Sequence, residues 1–111
     1  MKSMEEMIQA AQQAAQTIQK QMEEAQGRLD QIEVEGVSGG GMVKIRCSAK
    51  GRVIGVSIDD GLMELSEKQM LEDLVAAAFN DARGKADAAS AEEMQKVQAA
   101  AGIPPGFKLP F

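Results

Sequence analysis

An α+β fold of order α-β-β-β-α is predicted by three features of this 111-residue sequence. Residues 1–31 carry a heptad-spaced apolar stripe, residues 32–58 alternate apolar with polar positions between glycine-rich turns, and residues 66–101 return to helical spacing. The chain is long enough for one domain and too short for two, so residues 1–111 are read as a single domain that ends in a Pro-rich tail at 102–111. With three Phe, no Trp and no Tyr, its core must be aliphatic and shallow. Burial shared with a second subunit is the expected remedy.

The first helix is written in Met1, Met4, Ile8, Ala11, Ala15, Ile18, Met22, Ala25, Leu29 and Ile32, which follow steps of three and four. A helix from near Ser3 to Asp30 would run about 40 Å at about 1.5 Å per residue, farther than a compact domain of this size is wide. Part of it should project. Its flanks hold Gln12, Gln19, Gln21 and Gln26 in place of opposed charges, which specifies a parallel coiled coil poorly and favours packing on other elements.

A three-stranded antiparallel meander follows. A two-residue Lys50-Gly51 turn pairs Ala49 with Arg52, Cys47 with Ile54, Ile45 with Val56 and Val43 with Ile58. A looser loop at Ser38-Gly39-Gly40-Gly41 sets Val34 opposite Ile45 and Ile32 opposite Cys47, so all three strands share one buried face. The other face then carries Glu35 opposite Lys44 and Glu33 opposite Arg46 as cross-strand ion pairs. Lys50 and Arg52, near the turn, have no such partner and are candidates for an anionic ligand.

After a turn at Asp59-Asp60-Gly61, Ser66 and Gln69 form a capping box, with Leu65 and Met70 at the staple positions. Leu71, Leu74, Val75, Ala78, Phe79 and Ala82 give the ensuing helix an apolar face, and Gly84 weakens its far end. A second start at Ser90 and Glu93 precedes Met94, Val97 and Ala101, leaving one bent helix or two as alternatives. Met4, Met22, Met70 and Met94 fall on helix faces as core fillers.

The inventory of reactive groups is nearly empty. There is no His, which removes imidazole bases, His-ligated metals and Ser/His or Cys/His nucleophiles. Cys47 shares the parity of Val43 and Ile45 and is read as a small buried residue. Gly39-Gly40-Gly41 lacks the Gly-Lys-Ser/Thr ending of a phosphate loop and precedes a strand. The acid pairs Glu5-Glu6, Glu23-Glu24, Asp59-Asp60 and Glu92-Glu93 are sequence neighbours and do not converge on a cleft. No enzyme, cofactor, metal or small-molecule substrate is expected. The lone Cys, the absence of a secretory pattern at Met1 and the lack of a spanning apolar run point to a cytoplasmic chain that needs no membrane.

A net charge of −5 opposes simple phosphate binding. The average conceals a segment, 36–58, that carries Lys44, Arg46, Lys50 and Arg52 with no acid, leaving eight basic and 17 acidic residues elsewhere.

Four segments together resemble the YbaB/EbfC family over essentially the whole chain. They are Gly39-Gly40-Gly41-Met42-Val43, the hairpin from Gly51 to Ile58-Asp59, the run from Met70-Leu71-Glu72-Asp73-Leu74 to Asn80-Asp81-Ala82, and the tail Pro104-Pro105-Gly106-Phe107-Lys108-Leu109-Pro110-Phe111. The resemblance implies a bacterial homodimer whose fused sheets carry projecting helices like tweezer arms. It also implies DNA binding of modest sequence preference, and work in nucleoid organisation and gene regulation. Since it points to the helices, Lys20, Arg28, Lys85 and Lys96 join Lys50 and Arg52 as candidate DNA contacts. The alternative is a dimeric protein-interaction scaffold with incidental DNA affinity, which the acidity and the Gln-rich helix flanks favour.

Overall fold

Ser3 starts the first helix: its hydroxyl accepts a hydrogen bond from the Glu6 amide at 3.1 Å, satisfying one of the free donors of the first turn. Helix α1 spans Met4–Leu29, with Glu5 and Glu6 in its first turn and Arg28 in its last, each complementing the helix dipole. In this computed structural model, which describes residues 3–100, three antiparallel strands follow: β1 (Glu33–Ser38), β2 (Val43–Ser48) and β3 (Val53–Ile58), in spatial order β1-β2-β3. Two short 3-10 turns, Asp60–Leu62 and Leu65–Glu67, lead into α2 (Lys68–Ala100), a single continuous helix through Gly84 and Ser90. The predicted Pro-rich tail at 102–111 lies outside the described residues.

The core is one layer deep. Val43, Ile45 and Cys47 of β2 pack with Leu62 and with Ala78, Ala82 and Ala86 of α2. Alanine at every fourth position brings the helix backbone close to the sheet, and Gly36 lies directly beneath it: a Cβ there would collide with the Ala78 carbonyl and the Ala82 amide. The Cys47 thiol donates to the Ala82 carbonyl at 3.7 Å, as a buried structural residue would.

Strand register departs from the sequence expectation in two places. Between β1 and β2 the pairing is shifted by two residues, so that Val34 faces Cys47, Glu35 faces Arg46 and Val37 faces Lys44. The cause is the loop: Ser38 belongs to β1 and pairs with Val43, while Gly39, Gly40 and Gly41 all adopt positive φ and close a tighter turn. The expected Glu35–Lys44 and Glu33–Arg46 cross-strand partners are therefore wrong, although Glu33 still reaches Arg46 diagonally at 3.9 Å. Between β2 and β3, Val43 faces Ile58 and Ile45 faces Val56 as expected, but a bulge at Arg46/Cys47 gives Cys47 to Val53 instead of Ile54. The Ala49–Arg52 pair is not formed. The turn is centred on Ala49 and Lys50, with the Gly51 amide on the Ser48 carbonyl and the Ser48 amide on the Arg52 carbonyl.

Burial also corrects the sequence reading. Helix α2 packs on β1 and β2, so the side of β3 that shares the face of Ile45 is left open, with Val56 54% exposed and Val53 and Ile54 also exposed. The Ser66–Gln69 capping box does not form, since α2 begins at Lys68 and the Gln69 side-chain Nε2 donates to the Asp73 carboxylate. Leu65 and Met70 are exposed and make no staple, and Met4 is no core filler, at 77% exposure. Helix α1 buries only Ala25 and Leu29. Near its middle, Ala14, Thr17, Ile18 and Gln21 share a shallow cleft with Ala100, where the described part of α2 ends. The rest of α1 projects. The described residues extend 76 × 21 × 17 Å with a radius of gyration of 20.9 Å, against about 13 Å for a compact domain of this length.

Candidate nucleic-acid interface

The meander presents two unlike faces and two unlike edges. One face is covered by α2 over β1 and β2, while the opposite, helix-free face carries Glu33, Glu35 and Val37 from β1, Lys44 and Arg46 from β2, and Gly55 and Ser57 from β3. Lys44, Arg46, Gly55 and Ser57 line one shallow depression with Glu35.

The outer edge of β1 is closed by α2. Asp81 accepts the Val37 amide at 3.0 Å, and the Lys85 ammonium donates to the Glu35 carbonyl at 2.8 Å while pairing with Asp81 at 3.1 Å. The Val37 amide, then Lys85, hold the Asp81 carboxyl below the usual carboxylate range. Among the described residues, no strand lies beside the outer edge of β3, whose own Val56 is exposed. Phe79, a half-turn of α2 away from Asp81, is likewise left 43% exposed.

The six predicted cations divide into tied and untied groups. Arg28 and Lys96 both bind Glu93, at 3.2 and 3.1 Å, and this shared carboxylate, only 7% exposed, fastens α1 to α2. The Lys96 hydrogen bond is the main cause that lowers the Glu93 pKa; burial opposes it and Arg28 adds to it. Lys85 is the strand-edge cap described above. Arg52, expected to lack a partner, lies 3.5 Å from Asp30, because the end of α1 folds back beside the hairpin turn. Lys50 and Lys20 form no ion pair among the described residues. The six do not converge: Lys50 sits at the hairpin, Lys20 on the projecting half of α1, and the others are spread between.

The sequence register gives Lys44 to Glu35, which leaves it outside the six candidates. The actual register places it between Val37 and Ser57, with no acidic partner among the described residues. Only the placement of Ser38 could have revealed this, and a Ser-Gly-Gly-Gly run gives no sign of where the strand stops.

The geometry is an open antiparallel sheet backed by a long helix, with Lys44 and Arg46 presented on its helix-free face. The chain belongs to the YbaB/EbfC DNA-binding family, whose pattern it matches over residues 1–101. It is 55% identical over 97 residues to a nucleoid-associated protein of Rhodopseudomonas palustris, covering 87% of this chain and 91% of that one. A nucleoid-associated protein of Methylocella silvestris is 48% identical over the same shares. The crystal structure of an uncharacterized protein of Helicobacter pylori shares the fold, with a TM-score of 0.60 at 24% identity over 78% of this chain and 85% of that one.

Proposed function

We propose that this protein binds duplex DNA as a homodimer joined through the β3 side of its sheet, with modest sequence preference, and that it works in nucleoid organisation and gene regulation. Membership of a DNA-binding family supports the nucleic-acid part of this reading. The observation that carries the dimer is the asymmetry of the sheet. One edge is sealed by Asp81 and Lys85, and the other, among the described residues, is an open strand with Val53, Ile54 and Val56 exposed to solvent. An uncapped strand flanked by exposed Val and Ile invites pairing with a copy of itself. Lys50 and Lys20, which have no ion pair among the described residues to give up, are favoured contacts over Arg28, Arg52, Lys85 and Lys96.

A gel shift of the whole chain on random duplex, titrated with salt, tests the DNA reading. Phosphate binding weakens steeply as salt rises. The exposed Met4, Met7 and Ile8 on α1 support the competing scaffold reading, which predicts no shift at any salt concentration.

A further inference from the structure

We infer that the helix-free face of the sheet is a seat for the sugar-phosphate backbone of duplex DNA, with Lys44 and Arg46 as the contacting side chains. This rests on the proposed DNA-binding dimer and assigns it a surface that neither the hairpin turn nor the helices supply.

Three observations meet there. Lys44 is exposed and has no acidic partner among the described residues, so phosphate binding displaces nothing. Among the described residues Arg46 has one ion pair, with Glu33 at 3.9 Å, and both side chains are more than half exposed, so water and salt already compete for it. The residues facing these cations across β3 are small. Ser57 faces Lys44, Gly55 faces Arg46, and the guanidinium lies over Gly55, where an added Cβ would stand 3.0 Å from Nη2. The β3 strip beside the cations is thus low and open, with the Ser57 hydroxyl as an additional donor.

The strand order then sorts charge by distance from the dimer axis. With β3 beside the β3 of a second copy, neighbouring strands about 4.8 Å apart place the two β2 rows about 14 Å from each other. That is comparable with the about 12 Å width of the major groove. Between the rows lie Gly55 and Ser57 of each copy, and outside them lie Glu33 and Glu35 on β1. A duplex lying across the axis therefore meets small neutral residues first and cations next, with Glu35 beside Arg46 and Glu33 on the outer strand. This layout gives an acidic protein a usable phosphate surface: four cations in the dimer, with acids displaced to either side.

The test is fluorescence anisotropy of a labelled random duplex with the full chain across a salt series, beside sedimentation of each variant. Lys44→Gln with Arg46→Gln is expected to keep the dimer and weaken binding more than tenfold. The log-log salt slope should fall by about 1 per cation removed, up to about 4 when both copies engage. Glu33→Gln with Glu35→Gln acts in the opposite sense, tightening binding; because it adds no bulk, it tests the same face even if the first variant is unstable. Parent-like affinity and slope in the Lys44/Arg46 variant, with tight binding by the parent, would overturn the assignment while leaving the DNA reading intact. Failure of the parent itself to bind duplex would remove the DNA reading and this one together.

Discussion

Gly36 and Glu93 each hold together elements that are remote in sequence, one by having no side chain and the other by charge. A methyl group on Gly36 has only backbone to push against, since the Ala78 carbonyl and Ala82 amide occupy its place, so α2 must lift from β1. Gly36→Ala is expected to destabilise the protein by about 3 kcal/mol, the upper end for overpacking, measured as a lower urea midpoint with unchanged slope. Glu93 acts through its pKa. Because Lys96 and Arg28 hold it below the ordinary glutamate value, its contribution is fully present above about pH 4.3 and is lost as pH falls through the depressed folded value. Asp81 adds to the same loss, since its pKa is also lowered. Urea midpoints should drop as pH is lowered from about 5 to about 3, and Glu93→Gln should show a lower midpoint at neutral pH with a shallower acid drop. An equally steep acid drop in that variant would exclude Glu93 as a source. Cys47, 3% exposed beneath α2, should react with thiol reagents only through opening of the fold.

At the level of elements, the sequence makes helices and strands legible because their periods differ, 3.6 against 2, and the elements follow in the α-β-β-β-α order those periods predict. What it could not supply was register. A shift of two residues keeps every side chain on its original face, so the alternation of Val43, Ile45 and Cys47 fits Val34 opposite Ile45 as well as it fits Val34 opposite Cys47. The Arg46/Cys47 bulge likewise leaves the apolar pattern of β3 unchanged. For the candidate interface this mattered: Lys44 lost its supposed acid and Arg52 gained one. Exposure was the second blind spot, because Val56 and Phe79 carry a core pattern that no described element of this chain covers. Within α2 the pattern does make a clear statement about Gly84, a helix-interior glycine whose Cβ position has nothing within 4 Å. Gly84→Ala should stabilise the fold by about 1 kcal/mol, through helix propensity alone, read as a higher thermal midpoint with DNA affinity unchanged.

The described residues form an extended body, and the stability of the protein should depend on how many copies are present. A core of seven residues, three of them alanine and one cysteine, is thin for a domain of this size, and the apolar side chains that would thicken it, Val53, Ile54 and Val56, lie open on β3. Joining two copies at that strand would merge the sheets and cover these side chains with the partner's equivalents, so folding and association become one equilibrium. A coupled equilibrium of this kind has a concentration signature: the thermal midpoint rises as protein concentration is raised, which a monomeric fold does not show. Val56→Glu places a charge in the middle of the joined surface and in its twin, where the two carboxylates would lie close together in a poorly hydrated seam. That variant should sediment as a monomer at micromolar concentration, lose the concentration dependence of its midpoint, and bind duplex with a salt slope near half that of the parent, since only one set of cations remains. A dimeric Val56→Glu protein with an unaltered midpoint would move the interface away from β3, and the projecting, apolar half of α1 would become the surface to examine next.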